Sequence, residues 1–128
     1  MDGCNFCLEN ETLEGAVLAK NDLCYYVESI DPVLRHAGMI IPFRHVATPF
    51  ELTDNEWLAT KWLLDEVKAL LDAEGPAGYN IGRNVGREAG QNVDHAHLHV
   101  IARFADEPLA GKGLRYAFKQ DSNRRPGQ

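Results

Sequence analysis

The sequence predicts an α+β fold in which an antiparallel sheet carries one long helix. Three observations lead there: an amphipathic stretch over 53–74 with start and stop signals, short apolar runs separated by turn residues, and a two-residue alternation over 94–102. At 128 residues the chain has room for one domain of ordinary size, 1–128, and a second independent one is not expected.

The elements follow in order. A tight Cys4-Asn5-Phe6-Cys7 turn precedes polar Glu9, Asn10, Glu11 and Thr12, so residues 1–15 read as an N-terminal arm with no helix-length run. Ala16–Ala19 and Leu23–Val27 flank Lys20-Asn21-Asp22, which is a β-hairpin pattern. Gly38-Met39-Ile40-Ile41 is continuously apolar, as in a strand buried on both faces, and Pro42 ends it; Phe43-Arg44-His45 must be loop. Thr53 and Glu56 have capping-box spacing and Gly75-Pro76 is a stop, giving a helix over 53–74. At 100° per residue Ala59, Leu63, Leu64, Val67, Leu70 and Leu71 share one face, predicted to cover a sheet. Leu58, Trp62 and Ala69 form a second stripe that suits either core or a symmetric dimer contact. Tyr79–Asn84 suits a strand, Gly86 and Gly90 bracket a loop, and Asp94–Ala102 is a strand that sends Ala96, Leu98 and Val100 to one face and three histidines to the other. A tail over 111–128 is basic, with Lys112, Arg115, Lys119, Arg124 and Arg125, and its last residues are expected to be mobile.

Composition narrows the function classes. Thirteen Lys plus Arg against nineteen Asp plus Glu give a formal charge of −6, so the bulk field repels phosphate and nonspecific nucleic-acid binding is not expected. No stretch approaches the roughly 20 apolar residues of a membrane helix, and Met1-Asp2-Gly3-Cys4 lacks a basic and apolar signal region. The expectation is a soluble, cytoplasmic protein. Three cysteines, an odd number in a chain able to bury a core, fit reduced thiols or metal ligands better than bridges.

The chemistry concentrates in His95, His97 and His99, because a purely structural strand would not place three titratable rings on one face. A metal site made of those three rings alone is disfavoured, since same-face neighbours on a strand lie about 7 Å apart. Imidazole is a nucleophile and an acid/base near neutral pH, and His97, with a ring on either side, is the best placed to attack phosphorus while a neighbour handles the oxygens or leaving group. Gly86–Asn92 adds two glycines, side-chain amides and free N–H donors able to cradle phosphate oxygens.

Gly90-Gln91-Asn92-Val93-Asp94-His95-Ala96-His97-Leu98-His99-Val100-Ile101 resembles the signature of the histidine triad (HIT) proteins, and Ile40-Ile41-Pro42-Phe43-Arg44-His45 is similar to that family's apolar strand and Pro-x-x-His turn. The similarity spans roughly residues 4–103. It implies a HIT-like sheet of about five strands with one long and one short helix, joined to a second copy across a two-fold homodimer. It also implies a nucleotide hydrolase or nucleotidyl transferase acting at the α-phosphorus of a dinucleoside polyphosphate, such as a diadenosine polyphosphate, or of a nucleoside phosphoramidate. In that resemblance His97 is the nucleophile, His99 binds the α-phosphate, Gln91 contacts phosphate and leaving group, and Asn84 steadies the same oxygens. Ser29 and Asn92 occupy the ribose and pre-triad positions, where the family usually carries an acidic or amide residue and a small hydroxyl residue respectively. Ala37 stands where many members have a fourth histidine, and His36, one residue earlier, should point to the opposite face.

A subset of the superfamily binds zinc through a Cys-x-x-Cys, the turn histidine and the first triad histidine, which implies Cys4, Cys7, His45 and His95 here. Such a structural zinc would occupy His95 as a ligand. Ordinary reduced thiols remain the alternative, and Cys24 reads as core. Besides the enzyme, two further readings stand at this point: a nucleotide-binding regulatory protein with little turnover, and a zinc-stapled interaction module.

Overall fold

The computed structural model describes residues 1–127. Its sheet has five antiparallel strands, β1 (Val17–Lys20), β2 (Cys24–Glu28), β3 (Ala37–Pro42), β4 (Gly78–Gly82) and β5 (Leu98–Arg103), in the order β1-β2-β3-β5-β4. One α-helix, α1 (Asp54–Asp72), packs on one face. The short helix is realised only as three-residue 3-10 turns, among them Leu8–Asn10 and Pro49–Glu51. Among the described residues no helix is long and apolar enough to cross a membrane.

The unbroken apolar character of β2 and β3 has a simple cause. Successive side chains alternate between the faces, and both faces are covered. Tyr26, Ile40 and Val100 meet Leu63 and Val67 of α1, while Tyr25, Val27 and Ile41 meet Cys4, Phe6 and Cys7 of the arm. The molecule is therefore layered as helix, sheet and N-terminal arm. Gly38 is required where Tyr26 crosses it, because a Cβ there would stand 2.7 Å from two carbons of the Tyr26 ring.

The capping box forms as the spacing predicts: Glu56 N–H donates to Thr53 Oγ1 at 3.1 Å and Thr53 N–H donates to Glu56 Oε1 at 2.8 Å. The buried face of α1 is narrower and more polar than predicted. Leu70 is exposed and Leu64 half-buried, whereas Glu56 and Thr60 are buried. Both polar groups are satisfied, Thr60 Oγ1 by the Glu56 carbonyl at 2.7 Å and Glu56 by Arg44, whose Nη2 lies 2.7 Å from Oε1. Of the second stripe, Leu58 and Trp62 are exposed.

Two strands are shorter than their patterns suggest. Strand β4 stops at Gly82, leaving Arg83 and Asn84 beyond it. Strand β5 begins only at Leu98, opposite Ile40. The next even position on β3 is Pro42, which has no N–H to offer a ladder and whose carbonyl accepts from His95 Nε2 at 2.8 Å, and Ala96 N–H donates to the Val46 carbonyl at 2.7 Å. His95 and His97 thus sit in a turn leading into the sheet. His36 points away from the site, its Nε2 3.7 Å from Glu74 at the far end of α1, while Ala37 is buried.

Three outcomes test this packing. Gly38→Ala is expected to cost about 1–3 kcal/mol of overpacking strain in chemical denaturation. Thr53→Ala is expected to cost about 1 kcal/mol. The Arg44 hydrogen bond holds the Glu56 carboxyl below its ordinary 4.5 against the opposing effect of burial, so its stabilisation exists above that value and fades as pH falls through the lowered one. The stability gap between the unmodified chain and Glu56→Gln should therefore shrink as pH falls below about 4.5.

Candidate active site

The arm folds back so that Cys4 and Cys7 meet the turn after β3 and the turn before β5. Cys4 Sγ lies 3.4 Å from His95 Nδ1, and Cys7 Sγ lies 3.3 Å from His45 Nδ1 and 3.6 Å from His95 Nδ1. The two Nδ1 atoms are 3.2 Å apart, and the four donor atoms all fall within 4.8 Å of one another. A tetrahedral zinc with its usual bond lengths sets sulfur–nitrogen edges of about 3.6 Å and nitrogen–nitrogen edges of about 3.3 Å. The Cys4–His95, Cys7–His45, Cys7–His95 and His45–His95 distances come close to those edges. His95 is fully buried and its Nε2 donates to the Pro42 carbonyl at 2.8 Å, which leaves the lone pair on Nδ1, facing the sulfurs. Cys4, Cys7, His45 and His95 could hold a metal ion.

His97 is fixed by a different bond. Its Nδ1 donates to the His95 carbonyl at 2.8 Å, so the free lone pair belongs to Nε2. Burial lowers the affinity of both His97 and His99 for a proton, which keeps the imidazoles neutral at neutral pH. The two rings meet edge to face at 5.0 Å between centroids. On its other side His97 meets the ring of Phe6 at 5.1 Å. Phe6 is the site residue that sequence reasoning missed; its only signal is its place between the two cysteines.

His99 sits between two depressions. On the β4 side a groove of about 380 Å³ is lined by His99, Asn84, Gly82 and Leu114. On the β3 side Met39 is its cross-strand partner, and Met39 also lines a cleft of about 500 Å³ with Phe6, Ser29 and Ile30. The structure thus sets His99 between His97, whose ring it meets, and Asn84, which lines the same groove, while Ser29 shares a cleft with Met39, the cross-strand partner of His99. Two expected residues lie elsewhere. Gln91 is buried and turned into its own loop, its Oε1 accepting from Gly86 N–H at 2.9 Å and its Nε2 donating to the carbonyls of Ala47 at 2.6 Å and Val93 at 3.0 Å. Every N–H and the carbonyl of that amide are engaged by backbone, so Gln91 shapes the loop instead of facing the groove. Asn92 is exposed on the side of Cys4 and His45, beside Asp94.

Comparison with known proteins agrees with this geometry. Residues 10–106 match the HIT domain model. The chain is 33% identical over 111 residues to an adenosine 5'-monophosphoramidase of Schizosaccharomyces pombe, covering 86% of this chain and 81% of that protein. It is 30% identical over 96 residues to an AP-4-A phosphorylase of Mycobacterium tuberculosis, covering 73% of this chain and about half, 49%, of that longer protein. A crystal structure of a HIT family protein from Bacillus anthracis superimposes with a TM-score of 0.74 at 27% identity, covering 82% of this chain and 76% of that one. A HIT-domain match over most of the chain, on a five-stranded sheet that presents His99 at a groove, makes this protein a member of the HIT family.

Proposed function

We propose that the protein is a nucleotide phosphohydrolase that works through a nucleotidyl-histidine intermediate at His97. The observation that carries this reading is the His97 hydrogen bond to the His95 carbonyl, which reserves Nε2 of a neutral, buried imidazole as the lone-pair nitrogen. Nε2 attacks the α-phosphorus and forms a phosphorus–nitrogen bond while the bond to the leaving group breaks. The electron pair departs with the leaving group: a leaving phosphate oxygen departs as an anion, and a leaving nitrogen takes up a proton from solvent. Water then attacks the same phosphorus, the phosphorus–nitrogen bond breaks, and the nucleoside monophosphate leaves with His97 restored. His99 and Asn84, lining the adjoining groove, are the groups that meet the phosphate oxygens. The cleft holding Ser29 and Phe6 suits the nucleoside, with Met39 and Ile30 as apolar walls and Glu28 and Asp31 as acceptors for sugar hydroxyls. The names of the two curated relatives, a nucleoside phosphoramidase and a dinucleoside polyphosphate phosphorylase, support α-phosphorus chemistry and leave hydrolysis and transfer as its two outcomes.

The Cys4, Cys7, His45 and His95 cluster is read as a structural zinc site. The ion would supply folding energy by tying the arm to the turns at both ends of the site. The exposed Leu58 and Trp62 stripe on α1 is read as the contact of a homodimer. A second reading, a regulatory nucleotide-binding protein with little turnover, draws on two observations: Gln91 is committed to its loop, and Ala37 replaces an imidazole.

Incubation with adenosine phosphoramidate and diadenosine polyphosphates should release AMP, and intact-mass spectrometry should find a nucleotidyl adduct. His97→Ala is expected to lower turnover by about 10³-fold or more while nucleotide still binds. Retention of turnover in that variant would sink the nucleophile assignment, and bound nucleotide without AMP from the unmodified chain would select the regulatory reading. Cys4→Ser is expected to lower both bound zinc and Tm, with a smaller effect on kcat. Protein purified without chelators and found free of zinc by elemental analysis would remove the metal assignment.

A further inference from the structure

The groove beside His99 does not end at Asn84. It runs past Asn80 and Leu114 into a second depression of about 800 Å³, and the two share those residues as lining. The far part carries Lys112, Arg115 and Lys119 and no carboxylate. In a chain with six more acidic than basic residues, this is a local reversal of the overall field. The other depressions next to the histidines have the opposite sign: Asp2 and Asp94 line the one beside His45, and Glu14, Glu28 and Asp31 line the one beside Phe6. Among the described residues, one direction out of the site is therefore suited to a chain of phosphates.

The basic wall is anchored to the sheet. Arg103, at the end of β5, donates from Nη1 to the Lys112 carbonyl at 2.7 Å and from Nη2 to the Leu109 carbonyl at 2.9 Å, and it pairs with Glu107 at 2.9 Å. Its Nη1 also donates to Asn80 Oδ1, which joins the wall to β4. Leu114 reaches within 3.4 Å of the point where a Cβ on Gly82 would stand, and Gly82 is the cross-strand partner of His99. Asn80 lies two residues farther along β4, about 7 Å from Gly82. Lys112 Nζ is held over the Tyr116 ring at 5.3 Å.

We propose that Lys112, Arg115 and Lys119 form a subsite for a polyphosphate leaving group, so that the chain favours nucleotides activated by further phosphates over those activated by a small amine. The proposal rests on His97 as nucleophile. When the phosphorus–nitrogen bond forms and the bond to the bridging oxygen breaks, that oxygen leaves with the electron pair and the departing polyphosphate gains one negative charge. The three cations offset that charge as it develops. A departing amine instead takes a proton and leaves neutral, and has no use for them.

The test compares kcat/KM for diadenosine tetraphosphate with that for adenosine phosphoramidate. Combined Arg115→Glu and Lys119→Glu should lower the ratio of the two by about tenfold or more, through the tetraphosphate. The neutral pair Arg115→Gln and Lys119→Gln should lower it less, and serves if the charge-reversed chain folds poorly. Lys61→Glu with Lys68→Glu makes the same charge change on the exposed side of α1 and should leave the ratio unchanged. A ratio unmoved by the groove variants, including equal losses on both substrates, overturns the subsite. If the unmodified chain turns over neither substrate, the reading of His97 fails and the subsite is judged by calorimetry with inorganic tripolyphosphate. Binding weakened about tenfold by the charge reversal then supports it, and binding that is absent or unweakened overturns it.

Discussion

Two sulfurs and two imidazole nitrogens converge at one point between the arm, the turn after β3 and the turn before β5, and much of the site's geometry follows from that meeting. His95 is drawn off the sheet to face Cys4 and Cys7, and its carbonyl is thereby placed to receive Nδ1–H of His97. His95 and His97 are two residues apart and joined by one hydrogen bond, so the residue whose ring faces the cysteines of the arm also sets the tautomer of its neighbour. Phe6, carried between the two cysteines, is delivered against His97 by the same fold-back.

The sheet divides its labour by face. On one side α1 buries Leu63 and Val67 against β2, β3 and β5. On the other, the arm covers β2 and β3 and leaves the end of β5 open, so His99 faces a groove while Val100 faces the core. Antiparallel alternation alone produces this separation of stability from chemistry.

How much of this is legible in the sequence depends on how local each cause is. The α1 cap and stop are local, and the spacing of Thr53, Glu56 and Gly75 is enough to find them. The apolar runs of β2 and β3 are legible because each strand is covered on both faces. The start of β5 is not, because it is decided by its partner: Pro42 cannot donate opposite Ala96, a fact that appears only when register is known. Leu70 fails as a core residue because the contact with the sheet takes only the Ala59, Leu63, Val67 and Leu71 stripe of the helix. Gln91 reads as a phosphate contact by position, yet three backbone groups, one of them Ala47 from a remote turn, claim its amide. Phe6 is invisible for the same reason, since its neighbours are brought to it by the fold-back of the arm.

The strand order β1-β2-β3-β5-β4 has a consequence for local opening. Strand β5 is paired on both sides and buries Val100 and Ala102, so its amides belong among the last to exchange with solvent. The segment that forms the basic wall is exposed nearly throughout and is bonded to the sheet chiefly through Arg103. Its protection against exchange is set by a few bonds instead of a core. The molecule therefore spans a gradient of protection within one groove, with His99 on a doubly paired strand and the basic wall on a segment held by a few bonds.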